Sequence, residues 1–136
     1  MFSYFLLLLI YVKADCEIDG FTYHILDSES NNVQIVKCTI SSEPVLKIPS
    51  TVTYESTNYI VTSIASGSIS NDFQIIYLPY TLNEISSSAF GWFNQLQAIG
   101  FIDENNEVVN DTLPPKMTQI NEKVFFHCEI ITTINV

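Results

Sequence analysis

The chain contains no arginine. Its only side-chain cations are 5 lysines against 15 acids, a formal charge of -10 over 136 residues. Such a field repels phosphate backbones and anionic lipid, so nucleic acid is not an expected partner. Cysteine is scarce: Cys16, Cys38 and Cys128 form no CxxC pair, and the two histidines, His24 and His127, stand far apart. That pattern does not make a zinc site, and no cofactor is implied. Serine is plentiful, yet none sits in a GxSxG elbow, and neither histidine has a carboxylate–nucleophile pattern beside it. A secreted hydrolase would need a catalytic constellation that the sequence lacks, so no enzyme activity is expected. Long apolar runs are absent except for one, "FSYFLLLLIYV", Phe2 to Val12. Eleven residues fall short of the roughly 20 that span a bilayer as a helix.

What is present begins with that run. In Val12-Lys13-Ala14 a branched and a small residue stand at the positions a signal peptidase reads, so residues 1–14 are expected to be a signal peptide removed after Ala14. The alternatives are an interfacial anchor or a buried first strand. With the peptide removed, the chain is expected outside the cell or at its surface, through the secretory pathway. Export permits disulfides. A Cys16–Cys38 bridge would staple the first hairpin; the alternative is three reduced, buried thiols. "NDT" at Asn110 is the one N-x-[ST] sequon, a candidate glycan acceptor on a surface loop.

An apolar fraction of 47% suffices for a core, but its spacing follows neither a helix nor a simple strand. "LPYTLNEISSSAFGWFNQLQAIGF" (Leu78 to Phe101) and "LPPKMTQINEKVFFHCEIITTINV" (Leu113 to Val136) share one set of offsets. Pro79 and Pro114 each precede an isoleucine by six, Ile85 and Ile120, and each isoleucine precedes a phenylalanine by five, Phe90 and Phe125. Leu96 and Ile131 then open L-x-x-I-x-F-type runs, as does Phe73 in "FQIIYL". Ahead of that, "IASGSI" takes the place of "ISSSAF", with the following turn two residues shorter. The unit is 23 residues, Phe73 to Leu96, and the next interval is longer by twelve, which fall in "DENNEVVNDTLP". A unit this short cannot bury its own apolar positions. Stacked copies place equivalent residues about 4.8 Å apart and share a core. Proline suits the strand end because it offers no ladder N–H.

This pattern resembles the BspA-like leucine-rich repeat of surface antigens from anaerobic protists and bacteria. Leu78, Pro79, Ile85, Ala89, Phe90, Leu96, Ile99 and Phe101 carry the resemblance, with Leu113, Pro114, Ile120, Val124, Phe125, Cys128 and Ile131 in the next copy. "LKIPSTVTYESTNYIVTSI" (Leu46 to Ile64) echoes the family's lead-in segment, and the likeness covers Gly20 to Val136. The resemblance implies a β-rich leucine-rich-repeat solenoid of about three repeats with an N-terminal β-hairpin cap. The division is then 1–14 signal peptide, 15–63 cap and lead-in, and 64–136 repeats. Cys128 takes the turn position of Phe93 one repeat earlier, which reads as a small buried hydrophobe.

"GFTYHIL" and "VQIVKCTI" read as the cap hairpin, and "YESTNYIV" as a second hairpin turning around Ser56-Thr57-Asn58. Asp103 to Thr112 fails as a calcium loop, since its sixth residue is Val108, and reads as a hairpin insertion with Asn105-Asn106 at the tip. Strand positions between the inward ones face outward: Ile75 and Tyr77, Ala98 and Gly100, Thr133 and Asn135. Tyr77, Tyr80 and Trp92 are the candidate ligand contacts, because aromatic side chains bury much area at low entropic cost. Surface-antigen resemblance implies noncovalent binding of an extracellular protein, matrix or host-surface ligand, that is, adhesion. The alternative is a non-binding truncated remnant that self-associates through an open C-terminal edge at Ile131 to Val136. The chain stops inside a strand without a polar cap, so a truncated or fragmentary family member is expected, with membrane attachment only through the signal peptide or a missing C-terminal anchor.

Overall fold

The computed structural model describes residues 15–27, 29–70, 72–90, 93–117, 120–121, 123–125, 128 and 134–135. Residues 1–14, where a signal peptide is expected, and Trp92, His127, Ile131, Thr133 and Val136 lie outside the described residues. Ten strands follow in chain order, with no helix among the described residues: β1 Cys16–Ile18, β2 Phe21–Asp27, β3 Asn32–Cys38, β4 Val45–Lys47, β5 Thr51–Tyr54, β6 Thr57–Ile64, β7 Ile75–Pro79, β8 Glu84–Ile85, β9 Ala98–Ile102 and β10 Val108–Asn110.

Two ladders result. In one, β4, β7 and β9 run parallel in register, so Leu46, Ile76 and Ile99 stack, as do Val45, Ile75 and Ala98. In the other, β3, β6 and β8 run parallel and stack Ile35, Ile64 and Ile85. All six isoleucine and leucine positions of the inward rows are buried. Each coil therefore contributes one strand to each ladder, and the core lies between them. Phe73 and Leu96, one repeat apart, are both buried beneath it, and the amide of Gln97 donates to the carbonyl of Gln74 to hold their register.

The interval between ladders varies as the sequence spacing requires. Val45 to Ile75 is 30 residues, Ile75 to Ala98 is 23. The longer coil carries the β5–β6 hairpin, whose two-residue turn is Glu55-Ser56, with φ of 48° and 65°. This turn lies one residue earlier than the sequence suggests, because Thr53 and Asn58 pair across the strands and Thr53 Oγ1 donates to Asn58 Oδ1 at 2.6 Å. Two successive left-handed residues match the strand twist, as a type I′ turn does.

Polar residues of the returns bond to neighbouring coils. Ser66 Oγ donates to the Ser87 carbonyl, Thr81 Oγ1 to the Val61 carbonyl, and Asn121 Nδ2 to the Ile85 carbonyl. The Thr81 and Asn121 bonds supply partners to the carbonyls of the buried strand residues Val61 and Ile85, while the Ser66 bond lies at the exposed surface. Phe90 is fully buried and stacks on Phe125, its copy one repeat on, at 5.9 Å between ring centroids. The amide of Phe90 donates to the Val124 carbonyl, which sets that register. Ile120 departs from its equivalent Ile85: it is 38% exposed, at the far end of the described stack.

The N-terminal segment does more than cover an end. β1, β2 and β3 form an antiparallel sheet, with a tight turn at Asp19-Gly20 (φ 50° and 86°), and β3 then joins β6 in parallel. A Cβ on Gly20 would come 2.6 Å from Ile40 Cγ1, so glycine is required there for both conformation and space. Residues 15–63 thus share both ladders with the repeats. The Cys16–Cys38 bridge does not form; both are free, buried thiols. Cys16 lies on β1 opposite Tyr23 and Cys38 on β3 opposite Phe21, with β2 between them. Two strand spacings are roughly 9–10 Å, beyond the roughly 4.4–6.8 Å between Cα atoms that a disulfide spans.

Candidate functional site

Alternation along β4, β7 and β9 sends Leu46, Ile76, Leu78 and Ile99 into the core and leaves the residues between them on the other face. Register then assembles that face in rows: Val45, Ile75 and Ala98, then Lys47, Tyr77 and Gly100. β10 adds Asn110 beside Gly100 and Val108 beside Ile102. Tyr77 is at the centre, half-buried, with its hydroxyl 3.5 Å from Asn110 Oδ1. Gly100 is buried and not a surface position, because the Tyr77 ring and the β10 backbone close over it: a Cβ there would lie 3.3 Å from Tyr77 Cδ1 and meet the Val109 carbonyl.

The three candidate contacts are not one cluster. Tyr80 follows Pro79 at the end of β7 and lines a cavity at the strand ends, and Trp92 lies outside the described residues. The insertion forms the expected hairpin, with Asn106 at φ 63° and Asp103 Oδ1 accepting the amides of Asn105 and Glu107. Asn110 is exposed at the end of β10, the accessibility a glycan acceptor needs, and Thr112 Oγ1 donates to its carbonyl. Sequence reasoning did not place Val45 and Lys47 on this face. The signal was "LKIP", Leu46 to Pro49, which repeats the inward-outward-inward-proline order of "IYLP", Ile76 to Pro79.

The remaining reactive groups are structural in their surroundings. His24 Nδ1 lies 2.8 Å from Asp15 Oδ1, with both side chains nearly half exposed. A solvated pair of this kind contributes at most about 1 kcal/mol. Cys128 Sγ donates to the Phe90 carbonyl at 3.0 Å, in the place Phe93 holds one repeat earlier. Burial pushes the thiols of Cys16, Cys38 and Cys128 above the ordinary 9.0. Less thiolate is present in the native protein at pH 8, so alkylation with iodoacetamide is expected to be several-fold slower than in denaturant. Because folding raises these thiol pKa values, stability is expected to fall as pH rises above about 9. Native rates equal to denatured rates would contradict the burial. Among the described residues no three His, Cys, Asp or Glu side chains gather to hold a metal. Tyr23, also in the core, has its phenol pushed up chiefly by burial.

Two parallel ladders joined by irregular returns match solved bacterial structures. A leucine-rich cell-surface protein from Faecalibacterium prausnitzii A2-165 superposes with a TM-score of 0.71, at 22% identity over 89% of this chain and 30% of its own. The fold is a leucine-rich-repeat solenoid. A leucine-rich-repeat protein from Bacteroides ovatus ATCC 8483 gives a TM-score of 0.70 at 25% identity, over 89% of this chain and 29% of its own. The pneumococcal vaccine antigen PcpA gives 0.58 at 16% identity, over 84% and 30%. No family model matches the solenoid, and no curated protein matches it by sequence. It spans about 30% of the length of the cell-surface protein it superposes on.

Proposed function

We propose that this chain is a BspA-like leucine-rich-repeat protein of the cell surface that binds an extracellular protein noncovalently through the face around Tyr77. The observation that carries this reading is the register: Val45, Ile75 and Ala98 form an apolar row beside Lys47, Tyr77 and Asn110. A ladder of short parallel strands holds these side chains on a rigid backbone, which lowers the entropy lost on binding. Tyrosine at the centre of such a patch supplies area and a polar tip together. The relatives described as a cell-surface protein and a vaccine antigen support an extracellular setting.

A panel of purified extracellular-matrix proteins, immobilised and probed with the folded chain, tests the reading. The expected result is at least one saturable partner whose affinity falls about tenfold or more on Tyr77→Ala, the scale of an interface hot spot. An unchanged thermal midpoint for that variant shows that the loss is one of contact. A partner bound equally well by Tyr77→Ala would place the contact elsewhere. Concentration-dependent oligomers abolished by Tyr77→Ala would make the occupant a second copy of the chain.

A further inference from the structure

The twelve residues that break the repeat do more than lengthen a turn. The insertion hairpin stands beside the strand ends and, with them, lines a half-open cavity of about 420 Å³, within the roughly 300–1,000 Å³ of small-ligand sites. The repeat itself makes the opposite wall. β7 ends on Pro79, and Pro49 lies two residues beyond the end of β4; neither offers an N–H to continue the ladder, and both line the cavity. Tyr80 and Ile102 flank it, with the Tyr80 amide donating to the Ile102 carbonyl. The insertion contributes Asp103 and Glu104. Asp103 is held by the two backbone amides that Oδ1 accepts, at 2.9 and 2.8 Å, while Glu104 is exposed at the rim.

No lysine or histidine lines this cavity, so its two carboxylates have no cationic neighbour among the lining residues. An anion would meet both carboxylates and the overall charge of -10. A purely apolar ligand would strip water from the carboxylates without replacing it. We propose that the cavity is a subsite for an arginine side chain on an extracellular partner segment. The methylene stem lies along Pro49, Pro79 and Ile102, the guanidinium plane meets the aromatic surface of Tyr80, and its N–H groups donate to the Glu104 and Asp103 carboxylates. Arginine fits better than lysine because its planar, weakly hydrated head stacks and forks in one geometry.

This subsite adjoins the face around Tyr77 at Ile102, but its test needs neither Tyr77 nor a macromolecular partner, so either can fail alone. The probe is N-acetyl-L-arginine amide, with N-acetyl-L-citrulline amide as the neutral near-isostere, titrated into the folded chain while the backbone amide resonances are followed. The arginine compound is expected to shift Tyr80 and residues 102–106, with the citrulline compound at least fivefold weaker. Raising the ionic strength weakens the response. Glu104→Gln is expected to lower affinity about 3- to 5-fold, and Tyr80→Leu about 2- to 5-fold. Equal binding of the two probes, an unchanged affinity in Glu104→Gln, or no shift at these amides overturns the proposal. Glu104 is exposed, so its variant remains informative even if Tyr80→Leu disturbs the fold.

Discussion

Phe90→Ala is expected to destabilise the chain by about 3–5 kcal/mol, enough to leave a domain of this size largely unfolded near physiological temperature. The ring has no exposed surface, stacks on Phe125 at 5.9 Å and meets Phe93 at 6.0 Å. Truncation therefore removes its own burial and leaves both neighbours facing a hole that an ordered ladder cannot collapse to fill. The backbone on either side is fixed by the amide of Ser88 donating to the Lys123 carbonyl and that of Phe90 to Val124, which limits relaxation. Urea or thermal denaturation measures the loss, and Val108→Ala is the control: that side chain is 44% exposed and should change stability by less than about 0.5 kcal/mol. A Phe90→Ala cost under 1 kcal/mol would mean that the two repeats do not stack through these rings.

The second large effect is expected at Gly100, from adding a group. Gly100→Ala places a methyl against the Val109 carbonyl and 3.3 Å from both Asn110 Cα and Tyr77 Cδ1. The nearest obstacle is backbone, which no rotamer change relieves. β10 must move off β9 or the ladder must bend, at a cost of about 1–3 kcal/mol. Because the clash is confined to the hairpin, the local signature should exceed the global one. Hydrogen exchange at the amides of 108–110 is expected to accelerate at least tenfold, while those of Ile76 and Ile64 change only with overall stability. Protection of 108–110 that matches the parent would show that the hairpin is not seated as described. The same displacement removes Asn110 from beside Tyr77, so this variant should also weaken any partner that uses that face.

These results depend on features of differing legibility. Ile85 and Phe90 repeat at fixed offsets with Ile120 and Phe125, and a stack of coils is the arrangement in which such offsets acquire neighbours. The proline at the strand end was legible for the same reason: Pro79 closes β7 where the ladder N–H is not needed. Ile35 was not legible as a ladder position. It sits in "VQIVKC", which reads as a hairpin strand, and only its parallel pairing with Ile64 reveals it as the first rung of the return side. Local alternation is identical for a strand that pairs antiparallel and one that pairs parallel, so the partner has to be seen. The disulfide failed for a related reason. Sequence proximity of Cys16 and Cys38 says nothing about β2 passing between their strands.

The candidate sites divide in the same way. Tyr77 was readable as outward because it alternates with Ile76 and Leu78, both buried. Its neighbours Val45 and Asn110 come from 32 residues before and 33 after, and their register on either side of β7 and β9 was not visible in one dimension. Gly100 reads as an open surface position and is a covered one, since the insertion folds back over it. The sequence alone determined the coil, its 23-residue period, its inward residues apart from Ile35 and Ile120, and the place where twelve extra residues enter, because burial is enforced locally by side-chain polarity and spacing. Tertiary structure alone decided which faces those residues share, that Asp103 and Glu104 meet Pro49, Pro79 and Tyr80 around one cavity, and that the cysteines stay apart. Those depend on which coil lies beside which, and that is set by the register of hydrogen bonds between segments far apart in the chain.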